Sequence, residues 1–117
     1  MSTEPNSSSA RRKYPRKSFR KAISCLVEGH GEVVEGVEIG EGGISFRSKS
    51  EMALAQKVIV NFFIPEGDFF SVITTLRNIQ SAEGEHIYGL SFDEVSIPLK
   101  RQVRAYVART MSSVSVY

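Results

Sequence analysis

Apolar and polar residues begin to alternate at Phe19. Phe19, Ile23, Cys25 and Val27 fall on one side of an extended segment, while Arg20, Ala22, Ser24 and Glu28 mostly fall on the other. The stretch EGHGE (28–32) reads as a turn in which Gly29 and Gly31 take positive φ. Alternation resumes through Val33, Val37 and Ile39, stops at GEGG (40–43), and restarts in ISFRS. KVIVNFFIP (57–65) and DFFSVITTLRNIQ (68–80) are dense in β-branched and aromatic residues. EGE (83–85) reads as a hairpin turn before HIYGLSFDEV. These runs predict about six strands joined by short turns between Phe19 and Phe92, which favours an antiparallel barrel or sandwich over alternating βαβ units.

After residue 95 the period changes. Leu99, Val103, Tyr106, Val107 and Met111 recur at helical spacing, with Lys100, Arg101, Arg104 and Arg109 elsewhere around the axis. Ser96 is placed to cap this segment and Pro98 falls in its first turn. One amphipathic helix over about 97–111 is expected against the sheet or across a barrel end, with 113–117 as a tail. Residues 1–10, MSTEPNSSSA, have little apolar surface to bury and are expected to be disordered. That leaves one domain, 11–112.

Charge adds a feature that hydropathy does not show. The net charge is only +2, yet seven of the fifteen Lys and Arg residues crowd into RRKYPRKSFRKA (11–22). Glu28, Glu32, Glu35, Glu38 and Glu41 follow closely, whereas a general nucleic-acid binder is more often basic throughout. Pro15 interrupts any helix in the arm, so 11–21 is expected to be an extended or turning, flexible segment. Forked guanidinium groups suit phosphate oxygens, the guanine O6/N7 edge and stacking on a base. Taken alone, the arm fits a solvated basic tail equally well.

The glycines of EIGEGGISF (38–46) permit close approach and main-chain anion contacts, or simply a glycine-rich hairpin or bulge. No Gly-Lys-Ser/Thr follows, so this is not a P-loop. Cys25 is the only cysteine, and His30 and His86 lie far apart, each without metal-ligand or serine–base spacing. No catalytic constellation and no metal site are expected, and no apolar run is long enough for a membrane span. A cytoplasmic setting is expected.

Three features in order resemble the PilZ domain family. RRKYPR resembles the family's RxxxR motif, with Arg12 and Arg16 as its arginines and Arg11 just ahead. EIGEGG falls where the family has Asp/Asn-x-Ser-x-x-Gly, and TLRNIQSAEGEHIYGLSF resembles its last strand pair. The likeness runs from about Arg11 to Thr110. Glu38 stands in place of Asp or Asn, Gly40 replaces the serine, and Gly43 matches outright.

The resemblance implies a mainly β fold: a six-stranded antiparallel barrel with a C-terminal helix and a flexible N-terminal arm. It also implies a receptor for cyclic di-GMP, not an enzyme, with no further cofactor. Arg11, Arg12, Arg16, Glu38, Gly40, Gly43 and Arg77 are the implied ligand residues. The arm would order on binding and create a surface for an effector protein acting in trans, in motility or biofilm control, the receptor itself being a monomer or weak dimer. The departures at Glu38 and Gly40 also fit a degenerate PilZ domain, an adaptor that binds no nucleotide. A third reading, RNA or single-stranded DNA on a small barrel, is opposed by Phe62, Phe63, Phe69 and Phe70, whose pattern places them in the core and a hairpin.

Overall fold

The computed structural model describes residues 15–116. Seven strands precede one helix: β1 Arg16–Ser18, β2 Ala22–Val27, β3 His30–Gly40, β4 Gly43–Ser48, β5 Lys57–Phe63, β6 Phe69–Ala82, β7 Glu85–Phe92 and α1 Ile97–Val116. All pairings are antiparallel. The order β3-β2-β5-β6-β7-β4 closes through a β3–β4 pairing into a six-stranded barrel, and β1 adds to β3 outside the ring.

Turn chemistry sets the hairpins. Glu28 and Gly29 take φ of 49° and 85°, Glu83 and Gly84 take 52° and 83°, and each pair joins two strands in the primed geometry that matches strand twist. Gly31 instead lies within β3, opposite Leu26. The phase of β3 also departs from expectation. Val34 points inward and Val33 is 74% exposed, and a bulge between Gly36 and Glu38 then resets the alternation so that Ile39 is buried. A reading by period two cannot anticipate that extra residue.

Inward side chains from every barrel strand fill the interior, among them Ile23, Cys25, Ile39, Phe46, Val60, Phe62, Leu76 and Tyr88. Burial pushes the Cys25 thiol up to about 11, with Glu32 adding to the shift. Leu99, Val103 and Val107 of α1 plug into this core, and Ser96 Oγ accepts from the Leu99 N–H as the expected cap. The helix runs past residue 111 because no glycine or proline stops it.

The basic arm is not loose throughout. Arg16, Lys17 and Ser18 pair with Gly40, Ile39 and Glu38, so the expectation of a flexible arm to residue 21 fails for β1. The end of β3 extends beyond β2 and offers unpaired main-chain groups, which need partners. Phe19, fully buried, anchors the chain there; its N–H donates to the Val37 carbonyl at 2.9 Å, and the Tyr106 hydroxyl donates to the Ser18 carbonyl at 2.8 Å.

Candidate functional site

The β1–β3 register places Arg16 opposite Gly40, Gly40 opposite Gly43, Gly43 opposite Ser91, and Ser91 opposite Thr75. Directly opposed residues share a face of the sheet. The neighbouring row, Ile39, Ile44, Leu90 and Leu76, is buried, so this one faces outward. With strands about 4.8 Å apart, Arg16 and Ser91 stand roughly 14 Å apart along the sheet, and two glycines floor the interval. At Gly43, which is half-buried, the lack of a side chain lets a ligand come near the backbone, whereas Gly40 is buried beneath the leader.

Neither glycine is there for positive φ, which is confined to Gly29 and Gly84 among the described glycines. Each permits a close approach. A Cβ on Gly40 would meet the Pro15 carbonyl oxygen at 2.9 Å and Arg16 Cγ at 3.3 Å, so the leader lies directly against this residue. A Cβ on Gly43 would run into the Leu90 carbonyl of β7.

Charged groups stand at both ends of the floor. Glu38 lies one outward row away, its N–H donates to Ser45 Oγ at 3.1 Å, and its carboxylate faces Arg16 Nη1 at 3.9 Å. Both side chains of that pair are about two-fifths exposed, so water screens their attraction. At the far end Arg77 is the extra residue of a bulge between Leu76 and Asn78, and its Nε donates to Ser91 Oγ at 2.9 Å. Bulges commonly re-aim a side chain in this way. Beyond Ser91, Thr75 donates to Asp93, which also accepts from Lys57 Nζ at 2.7 Å; these donors, Lys57 first, hold the Asp93 carboxyl below its ordinary range.

Behind the floor, the Glu41 side chain turns toward α1. Arg104 donates from Nε and Nη2 to its two carboxylate oxygens, both at 2.9 Å, and this fork holds the Glu41 carboxyl below its usual range.

Of the residues expected to bind ligand, the structure brings Arg16, Glu38, Gly40, Gly43 and Arg77 onto one outer face; Arg11 and Arg12 lie outside the described residues. Ser45, Ser91, Glu41 and Arg104 were not anticipated. Ser91 is assigned by its register with Gly43, and Arg104 lies 63 residues from its partner, so no local pattern signals either. His86 lies outside this face, with Ser81 Oγ and a Glu51 carboxylate oxygen each 3.3 Å from its ring nitrogens. Among the described residues no group of three or more potential metal ligands occurs, and no helix is long and apolar enough to cross a membrane.

A family model described as the PilZ domain matches residues 10–109. No curated protein sequence matches the chain. Among solved structures, the chain is similar to the Bacillus subtilis inhibitor of motility MotI/DgrA, with 15% identity and a TM-score of 0.80 over 88% of this chain and 52% of that one. It is similar to Escherichia coli YcgR in complex with cyclic di-GMP, with 18% identity and a TM-score of 0.70 over 90% and 48%. It is also similar to the Klebsiella MrkH–cyclic di-GMP complex, with 13% identity and a TM-score of 0.71 over 90% and 54%. The chain thus spans about half the length of each of these proteins, and at such identities the likeness speaks for the fold.

Proposed function

Because the chain belongs to the PilZ domain family, we propose that it is a receptor for cyclic di-GMP and that the nucleotide lies on the glycine-floored face beside β1. The observation that carries this reading is the row Arg16, Gly40, Gly43, Ser91: a cation, a stretch with no side chain at Gly43 beside the leader-covered Gly40, and a polar far wall. Arg16 would grip a phosphate with its fork, and Arg11 and Arg12, ahead of Pro15, would close over the ligand from the leader side. Glu38 would exchange its exposed ion pair with Arg16 for the N1–H and N2–H of a guanine. Arg77 would stack on, or contact, the outer base. Two similar solved structures are complexes with this nucleotide, which supports the choice of ligand.

Since β1 is already paired, ligand-driven closure would act on the leader ahead of Pro15. The output would be a changed surface read by an effector protein in trans, in the cytoplasm, without catalysis. One contact favours a second reading, an adaptor that binds no nucleotide. Pro15 and Arg16 fill the space above Gly40 into which the family's serine would project.

Calorimetric titration with cyclic di-GMP separates the two. Wild type is expected to bind and Arg16→Ala to bind about tenfold more weakly, the loss of one charge-assisted contact. No heat with wild type, together with unmoved amide signals at Gly40 and Gly43, would leave the adaptor reading standing.

A further inference from the structure

The β3–β4 turn, Glu41 and Gly42, joins the two floor glycines, Gly40 and Gly43. A carboxylate at such a turn is an awkward neighbour for a dianionic nucleotide. Glu41 is nevertheless only 9% exposed, and both of its oxygens are engaged by the Arg104 fork at 2.9 Å. Arg104 projects from a stretch of helix anchored by Leu99, Val103 and Val107, which are buried in the barrel core. Two residues on, Tyr106 holds the Ser18 carbonyl at 2.8 Å and packs edge-on against Phe19 at 5.9 Å. One helix therefore holds both the turn and the leader strand that meet at Gly40.

From this geometry we infer that Glu41 and Arg104 form a positioning pair: Arg104 seats the β3–β4 turn against the leader and neutralises the carboxylate beside the anion floor, without touching the nucleotide. The inference rests on the cyclic di-GMP reading above. It makes the two partners unequal. Losing Arg104 leaves a nearly buried carboxylate without its hydrogen-bonding fork, with only the longer-range charge of Lys100, next to where the phosphates would lie, whereas losing the Glu41 charge removes the brace but also the repulsion. A brace with no electrostatic role would make the two losses alike.

The experiment is calorimetric titration of the full chain with cyclic di-GMP, for wild type, Arg104→Met, Arg104→Lys and Glu41→Gln. Each is paired with amide hydrogen exchange on the ligand-free protein. Arg104→Met is expected to weaken binding about tenfold and Glu41→Gln about threefold, with Arg104→Lys in between because it keeps the charge and loses the fork. Ligand-free Arg104→Met is expected to exchange faster at Gly43 and Lys17 while β5 stays protected. Wild-type affinity in Arg104→Met, or a loss in Glu41→Gln as large as in Arg104→Met, overturns the pair's role. If wild type binds no nucleotide, the reading of the ligand fails by itself. Exchange in the ligand-free proteins then decides the positioning alone, and unchanged rates at Gly43 and Lys17 overturn it.

Discussion

The barrel has two outer faces of opposite character. On β2, β5 and β6, outward rows are filled by side chains that satisfy one another: Leu26 and Ile73 flank Ile59, Ser71 donates to Asn61, Asn61 donates to the Ser24 carbonyl, and Phe63 meets Phe69 at 4.8 Å. No formal charge interrupts those three rows; the outward charge of β5, Lys57, lies opposite Thr75, in the row that leads to Ser91 and Gly43. Across β1, β3, β4 and β7 the outward row holds Arg16, two glycines and Ser91. Cross-strand pairs are where a sheet face gains stability, and glycine forgoes that gain. The first face is thus built of contacts within the molecule. The second keeps fewer such contacts and carries charge at its rim, and this contrast is why the ligand is proposed there.

Substitutions on the two faces test the contrast. The largest effect is expected at Gly43→Val, which drives side-chain atoms into the Leu90 carbonyl and parts β4 from β7; a loss of about 3 kcal/mol or more in a urea titration would be typical of such a clash. Gly40→Ser, although it restores the serine usual in the family, is expected to push the leader off β3 and weaken cyclic di-GMP binding; tighter binding would show that the leader yields at no cost. Phe69→Ser on the opposite face is expected to cost about 1 kcal/mol of stability from the lost aromatic pair. Its nucleotide affinity should match wild type, and a large affinity change would undo the separation of faces.

A smaller effect is expected with pH. Glu41 and Asp93 titrate below their ordinary values of 4.5 and 3.8 in the folded protein. Their stabilisation is therefore complete above those values and is lost as pH falls through the lower folded ones. The urea midpoint should drop in that acid range, and Glu41→Gln with Asp93→Asn should flatten the drop.

Much of the ring was legible because local chemistry determines it. Glu28-Gly29 and Glu83-Gly84 specify their hairpins, and the apolar face of β2 follows strict alternation. Val33 was misplaced because the bulge at Gly36–Glu38 is set by the partner strand, β4, and by the leader. The aromatics of 62–70 divide between core and hairpin as expected: Phe62 is buried and Phe70 packs against the core, while Phe63 and Phe69, 64% and 52% exposed, pair across the hairpin end. Arg16, Glu38, Gly40 and Gly43 were marked by motif order. The pairing of the leader with β3, the Ser91 wall and the Arg104 fork depend on residues brought together only by closure of the barrel.

Rolling the sheet shut has a further consequence for life in a crowded solution. A strand with a vacant border invites a neighbour's strand to zip onto it, the usual route to fibrils. Here the six ring strands spend their borders on one another, and β1 alone keeps an outer one among the described residues. It is three residues long and carries Arg16 and Lys17, so the arginine proposed to hold a nucleotide also helps, with Lys17, to deter self-association.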